Sequence, residues 1–433
     1  MASVHNCLSL SNVLDHSNVK LSREFKGHGS DINCVQFHPI HSFLFSCSGD
    51  KTCRVWNVPD ELQSLDEESA TSNSSILTGH TKYINSCVIS AHYNTLFTAS
   101  TDGTIRVWDL MKMECTGVIK GHKGVVQCLA LSPDEGRLVS GSGDSTIRVW
   151  DPVKRTCLRT LSEHDYTVVY CSFSHDGIAF VSASSDGKII AWDKSLTYPI
   201  ANESAHPEVG TNICVFSPIV YPNSYLVATA GNDNLFKLWS LIYKGAKAKF
   251  NHIWTVDAHG SSVYALAFSP DGSILVSGGG DASVMFWRVS TKEQLLTLNA
   301  HEKYVTTVAF SRDSRYLATG AYDGVVKLWK LAFNIPEFVL DKTESLKLYP
   351  DVPNDFICPI SLQIMTDPVI IADGSTYDRS SILLWLATSR RGPVSPLTNL
   401  DLPHTNLKPN CELREEIEQF LKNPDGYSSV KTK

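Results

Sequence analysis

The sequence lacks several features that would each place it in a particular class of protein. None of its apolar runs approaches the roughly 20 residues of a membrane span, and residues 1–20 show neither the basic start nor the apolar centre of a signal peptide. The net charge of −7 leaves no basic surplus for nucleic acid. The twelve cysteines are scattered and include no Cys-x-x-Cys pair. We therefore expect an intracellular protein, cytoplasmic, nuclear or both, with no membrane or nucleic-acid partner.

What the chain does contain is one set of four residues, repeated seven times. In residues 121–151 the set is His122, Ser140, Asp144 and Trp150. In every copy Ser or Thr lies four residues before the Asp, and Trp lies six residues after it. The His–Asp pairs are His28–Asp50, His80–Asp102, His122–Asp144, His164–Asp186, His206–Asp233, His259–Asp281 and His301–Asp323. Seven complete copies indicate a repeat protein.

Each repeat predicts four short strands. Residues 125–132, 137–142, 146–151 and 157–162 are rich in β-branched residues and are separated by turn sequences. An indole N–H, a hydroxyl, an imidazole and a carboxylate can form one hydrogen-bond relay, which satisfies polar groups buried between strands. Ser, His and Asp can also form a hydrolase triad, but an active site is needed once, so seven copies favour the structural role.

The repeat resembles the WD repeat, in which each unit is one four-stranded blade of a β-propeller. The resemblance implies a mainly β fold, with a seven-bladed propeller over residues 20–331 after a loose tail at 1–19, and a structural tetrad in every copy. No strand followed by Gly-His comes after Trp329, so the seventh blade has only three strands of its own. We expect residues 20–26 to supply the fourth strand and close the ring.

Three insertions interrupt the 42-residue period. They fall within residues 59–75, around residues 217–225 and after Trp239; the first contains five carboxylates and no Lys or Arg, and the third includes three lysines. We expect all three on the face opposite the tetrad His and Asp. They are interpreted either as solvated, mobile loops, which the usual behaviour of loops favours, or as charged loops that bind a partner.

The face that carries the tetrad His and Asp is the usual binding surface of WD-repeat proteins, and the resemblance implies that a protein substrate docks there. Positions three and five after each His, and one before each Asp, are expected to point toward it. Exposed tyrosines are enriched at interfaces, although any one of them could instead pack against a neighbouring loop. The docking candidates are Tyr83, Asn85, Gln127, Asn232, Tyr264, Tyr304 and Tyr322.

The pattern changes after Trp329. Residues 332–350 are interpreted as a linker, residues 351–425 as a small α+β module and residues 426–433 as a tail. An Asp-Gly turn at 373–374 predicts a hairpin, and Asp378 can cap the helix that follows. A final helix is predicted after Asn410.

This module resembles a U-box, a RING-like fold that needs no zinc. The motifs are Phe-Ile-Cys-Pro-Ile at 356–360, Asp-Pro-Val at 367–369, Gly-Ser-Thr-Tyr-Asp-Arg at 374–379 and Ser-Pro-Leu-Thr at 395–398. A two-zinc RING requires eight Cys or His ligands, whereas this segment offers only Cys358, His404 and Cys411. We therefore expect no metal and no cofactor.

U-box domains recruit a ubiquitin-conjugating enzyme charged with ubiquitin and form no covalent intermediate, so no catalytic nucleophile is expected. The resemblance implies that Ile360, Trp385 and Pro396 form the apolar patch that meets this enzyme, with Leu397 in support. An alternative is that Ile360 and Trp385 are ordinary core, although an apolar residue in such a loop favours contact for Ile360. Asn399 falls where some members carry a basic residue that contacts ubiquitin, and an amide brings no charge there.

The combination of propeller and U-box resembles the family of WD-repeat, sterile-alpha-motif and U-box proteins. The 26 residues at 330–355 are too few for a sterile-alpha-motif domain, which needs about 65 residues. The resemblance implies a ubiquitin-protein ligase in which the propeller selects substrates and the U-box brings the charged conjugating enzyme. The alternative is a non-enzymatic scaffold with an inactive U-box.

Overall fold

The computed structural model describes residues 18–58, 74–193, 195–221, 224–244, 247–331, 356, 365, 367–372, 375–379, 382 and 407–422. The chain divides into two compact units, Met1–Phe333 and Asn334–Lys433. In the described parts of the chain, no helix is both long and apolar enough to cross a membrane.

The first unit is built from four-stranded antiparallel sheets, and seven of them lie within its described residues. We number them as blades 1 to 7 in chain order. The first described strand is β1 (Val19–Phe25). Blade 1 contains β2 (Ile32–Phe37), β3 (Phe43–Ser48), β4 (Thr52–Asn57) and β5 (Ser74–Thr78), and blade 2 contains β6 (Ile84–Ser90), β7 (Thr95–Ser100), β8 (Thr104–Asp109) and β9 (Glu114–Lys120). Blade 3 contains β10 (Val126–Leu131), β11 (Leu138–Ser142), β12 (Ile147–Trp150) and β13 (Cys157–Leu161), and blade 4 contains β14 (Val168–Phe173), β15 (Phe180–Ser184), β16 (Lys188–Trp192) and β17 (Pro199–Ser204). The remaining blades are blade 5, β18 (Thr211–Tyr221), β19 (Ser224–Gly231), β20 (Leu235–Lys244) and β21 (Lys247–Asp257); blade 6, β22 (Val263–Phe268), β23 (Ile274–Gly279), β24 (Ser283–Arg288) and β25 (Glu293–Asn299); and blade 7, β26 (Val305–Phe310), β27 (Tyr316–Ala321) and β28 (Val326–Leu331), joined by β1. The mainly β, WD-repeat fold predicted from the sequence is confirmed.

The ring is closed by the first described strand of the chain. Strand β1 pairs antiparallel with β28, with Val19 opposite Leu331 and Phe25 opposite Val326. The innermost strand of each blade contacts that of the next, and β26 of blade 7 contacts β2 of blade 1. The predicted closure by an N-terminal strand is therefore confirmed, and it covers the edge that β28 would otherwise expose.

Apolar side chains fill the spaces between neighbouring blades. Each of seven buried clusters within the described residues combines side chains from two adjacent blades, as in the cluster of Phe25, Ile32, Trp56 and Leu328 between blades 7 and 1. In each cluster a tetrad Trp packs against the preceding blade, as Trp150 does against Phe97 and Val107. Burying a large apolar side chain contributes about 1.5–3 kcal/mol. The repeated Trp therefore joins blades together as well as strands within a blade.

The insertions do not all form loops. In blade 5 the extra residues lengthen the strands: β18 and β21 have 11 residues each and β20 has 10, whereas most strands have 5 to 7. The expectation of solvated loops is thus wrong for the second and third insertions. The second extends the β18–β19 pairing to Tyr221↔Ser224, and the third extends the β20–β21 pairing to Lys244↔Lys247. The second insertion lies between β18 and β19, and the third lies between β20 and β21. The first insertion lies largely outside the described residues.

The second unit has a small sheet and a helix. Strand β29 (Pro368–Ile370) pairs antiparallel with β30 (Thr376–Asp378) and with β31 (Lys408–Pro409), and helix α1 spans Cys411–Lys422. The predicted hairpin and final helix are confirmed. The buried apolar residues described in this unit are Phe356, Met365, Val369, Ile371, Tyr377, Ile382 and Ile417.

Candidate functional site

The four repeated residues of blade 3 form a continuous hydrogen-bond relay. Trp150 Nε1 donates to Ser140 Oγ at 2.8 Å, and Ser140 Oγ lies 2.7 Å from His122 Nε2. On the other side of the ring, His122 Nδ1 lies 3.0 Å from Asp144 Oδ2. The backbone N–H of Lys123 also donates to that carboxylate. The relay therefore fixes the turn before β10 to the turn before β12.

Six of the seven sets form this relay, and the set in blade 4 does not. His164 Nε2 bonds Ser182 Oγ at 2.7 Å, but its Nδ1 has no hydrogen-bond partner. Asp186 instead faces the ammonium group of Lys188, 3.7 Å away. The prediction of a tetrad in every copy is wrong for this blade. The sequence carried a signal, because only here is the residue two positions after the Asp a lysine.

Burial and hydrogen bonding set the charge states of the tetrad groups. Burial lowers the pKa of His122, although Asp144 opposes that effect. For Asp102, burial acts to raise the pKa, but hydrogen bonds from Thr104 and His80 outweigh it and lower the pKa to about 2. Burial also lowers the pKa of His80 and His259. These histidines are neutral near pH 7 while their carboxylate partners are charged, so each such pair places one negative charge on the face that carries it.

The docking candidates differ in how free their side chains are. Tyr83, Tyr304 and Tyr322 are about half exposed, at 53%, 50% and 52%. Asn85 instead donates from Nδ2 to the Val126 carbonyl of the next blade at 2.9 Å. Asn232 likewise donates to the Val209 carbonyl at 2.8 Å. The three tyrosines therefore remain available for a partner, whereas the amides of Asn85 and Asn232 already donate hydrogen bonds within the propeller.

The bond made by Asn85 belongs to a pattern that sequence reasoning missed. Asn33 Nδ2 donates to the Ile84 carbonyl at 2.9 Å, and Asn212 Nδ2 donates to the Val263 carbonyl at 3.1 Å. Each bond runs from the innermost strand of one blade to that of the next. A polar residue at the second position of the innermost strand was the available signal. Gln127 occupies the same position and is half-buried.

Three of the candidates lie together. The rings of Tyr264 and Tyr304 stack with centroids 6.2 Å apart and an interplanar angle of 26°. The ring of Tyr322 lies 6.0 Å from that of Tyr304, tilted by 50°. Blades 6 and 7 thus present one aromatic surface, which we call the tyrosine cluster.

The described part of the second unit is held by hydrogen bonds and packing. Asp367 accepts from Arg379 Nε at 2.7 Å and pairs with Arg414 on helix α1. Asn410 Oδ1 caps α1 by accepting from the Leu413 N–H at 3.3 Å. In the described residues no three His, Cys, Asp or Glu side chains are grouped to hold a metal ion. The Asp367 ion pairs were not predicted, although the Asp-Pro-Val motif contained that residue.

The residues assigned to conjugating-enzyme contact remain predictions. Ile360, Trp385, Pro396, Leu397 and Asn399 all lie outside the described residues.

Comparison with known families assigns both parts of the chain. Residues 352–425 match the U-box domain, and residues 19–57, 71–109, 113–151, 155–193, 250–288 and 292–330 match the WD domain, G-beta repeat. Blade 5 falls outside those matches, yet His206 bonds Asp233 at 2.8 Å and Trp239 bonds Thr229 at 2.9 Å. The longer strands of that blade account for its divergence from the repeat pattern.

Among curated proteins, the chain is 30% identical to the WD repeat, SAM and U-box domain-containing protein 1 of Gallus gallus, over 91% of this chain and 97% of the relative. The Danio rerio protein of the same name is 46% identical over 18% of this chain and 16% of the relative. U-box domain-containing protein 37 of Arabidopsis thaliana is 46% identical over 16% of this chain and 17% of the relative. The chain belongs to the WD repeat, SAM and U-box domain-containing protein family.

Proposed function

We propose that this protein is a ubiquitin-protein ligase that recruits a charged ubiquitin-conjugating enzyme through its U-box and protein substrates through its propeller. One observation carries the proposal: a U-box at residues 352–425 lies in the same chain as a closed propeller. U-box and WD-repeat domains together with U-box relatives support a ligase-type role. The protein acts inside the cell, in the cytoplasm, the nucleus or both.

In this proposal the U-box acts by positioning. By resemblance to U-box domains, Ile360, Trp385 and Pro396 would together supply the apolar patch that meets the conjugating enzyme, with Leu397 in support. The conjugating enzyme carries the thioester and performs the transfer, so the ligase needs no nucleophile. Holding the reactants in productive geometry supplies the rate gain. Asn399 contributes hydrogen bonding without charge.

The test is autoubiquitination of the full-length protein with a panel of conjugating enzymes. We expect ubiquitin transfer with at least one of them, and none when the conjugating enzyme is omitted. A folded protein that transfers no ubiquitin with any conjugating enzyme would establish the scaffold alternative.

A further inference from the structure

The tyrosine cluster joins three aromatic rings from two adjacent blades. Tyr304 and Tyr322 belong to blade 7 and are half exposed, while Tyr264 of blade 6 stacks on Tyr304 and is half-buried. The Tyr322 N–H donates to the Tyr304 carbonyl at 2.9 Å, so the backbone segments that carry two of the rings are held together. The surface is therefore preorganised, which lowers the entropy cost of binding.

Negative charge flanks the cluster on two sides. Tyr322 directly precedes Asp323, and a Cβ placed on Gly280, directly before Asp281, would lie 3.3 Å from the Tyr264 ring. Asp281 and Asp323 each accept a hydrogen bond from a histidine, at 3.0 Å and 2.9 Å. Hydrogen bonds from Ser283 and His259 outweigh burial and lower the pKa of Asp281, so it is charged at neutral pH. The exposed Glu302 and Lys303, directly before Tyr304, add one charge of each sign. With Asp281 and Asp323 counted, carboxylates outnumber ammonium groups next to the cluster, and this balance favours a cationic ligand.

Within the described residues, no Lys or Arg side chain lies over the rings of the tyrosine cluster. In the described part of the chain, the contacts between a guanidinium group and an aromatic ring involve Arg23, Arg54 and Arg148, which lie on Phe25, Trp56 and Trp150. A tyrosine face attracts Lys and Arg side chains through its quadrupole, and nearby carboxylates add to that attraction.

We propose that the tyrosine cluster is the anchor site of the propeller and binds a Lys or Arg side chain in a basic segment of a partner protein. This proposal rests on the proposed function, in which the propeller recruits a protein substrate. The cationic head lies over the rings of Tyr304 and Tyr322, and Asp281 and Asp323 supply the compensating charge. The substrates would accordingly be recognised through exposed basic segments.

The chain supplies a matched control for this site. Tyr83 occupies the same position in blade 2 that Tyr304 occupies in blade 7, three residues after the tetrad His. Its exposure of 53% is close to the 50% of Tyr304, but the rings that contact Tyr304 have no counterpart around it in the described residues. Tyr304→Ala and Tyr83→Ala therefore remove the same side chain from equivalent turns, and only the first disrupts the cluster.

The experiment selects random linear peptides, displayed on phage, against the full-length protein. We expect enrichment of peptides with a Lys or Arg at one fixed position. That preference should persist against Tyr83→Ala and disappear against Tyr304→Ala. A selected peptide is then synthesised with norleucine in place of the basic residue, and the loss of charge should weaken binding about tenfold.

Two further variants separate a cation on the rings from simple apolar burial. Tyr304→Phe keeps the ring and should bind the selected peptide as the wild type does, whereas Tyr304→Leu keeps apolar area without a ring and should bind about tenfold more weakly. Enrichment of apolar or proline-rich peptides, equal binding by the Leu variant, or no enrichment at all would overturn the proposal. Autoubiquitination measured on the same preparations keeps the two proposals separate, because all four variants leave the U-box unchanged.

Discussion

At the scale of single residues, one blade carries an internal control for the tetrad. Asp144 bonds His122, whereas Asp186 makes no hydrogen bond to His164. Asp144→Ala leaves a buried donor unpaired and should lower the free energy of unfolding by about 1–3 kcal/mol. Asp186→Ala should cost less. Urea unfolding of the two variants checks this, and equal losses would show that the His–Asp bond is not what stabilises the turn.

The isolated ring nitrogen in blade 4 predicts a pH dependence. Burial lowers the pKa of His164 to about 4, so the folded protein resists a proton that the unfolded chain accepts near its ordinary value of 6.5. Protonation of His164 therefore does not affect the free energy of unfolding above pH 6.5. As the pH falls from 6.5 toward 4, it lowers that free energy by about 2–3 kcal/mol. Unfolding measured from pH 7 to pH 4 should show a shallower decline for His164→Gln. His175→Gln, the same change at an exposed histidine, is the matched control.

At the scale of elements, strand β1 decides whether the ring is closed. Phe25 is buried and its ring lies 5.2 Å from that of Trp56 in blade 1. Phe25→Ala should therefore lower the free energy of unfolding by about 3 kcal/mol. Leu21 lies on the same strand but is 45% exposed. Leu21→Ala should cost less than about 1 kcal/mol, since surface changes are usually small. A similar loss for both, measured by denaturant unfolding, would mean that β1 does not depend on its contact with blade 1.

At the scale of the whole molecule, the proposed division of labour predicts separable defects. Ile360→Ala and Pro396→Ala should each remove an interface anchor worth about 2 kcal/mol, which weakens binding of the conjugating enzyme roughly thirtyfold. Ubiquitin transfer should fall accordingly, while peptide binding to the tyrosine cluster should be unchanged.

The matched control for these variants is Glu412→Ala, an exposed position at the start of helix α1. It should transfer ubiquitin as the wild type does. Transfer that persists in folded Ile360 and Pro396 variants would show that the conjugating enzyme binds elsewhere.

The sequence by itself determined the repeat, its strands and the closing strand, because hydrophobic alternation and the fixed spacing of His, Asp and Trp are local properties. It also determined the U-box, whose motifs are short and contiguous. It could not show that His164 lacks its carboxylate partner, since that depends on where the Lys188 ammonium lies. Nor could it show that the insertions of blade 5 form longer strands, because the free energy of strand pairing depends on the partner strand.

Only the tertiary structure decided which candidate residues are available to a partner. Asn85 and Tyr83 are two residues apart in sequence, yet one bonds the next blade and the other faces solvent. Tyr264 and Tyr322 lie on different blades and meet through Tyr304 because the ring places β22 against β26. Adjacency between blades is a property of the closed ring as a whole, and no pattern within one repeat contains it.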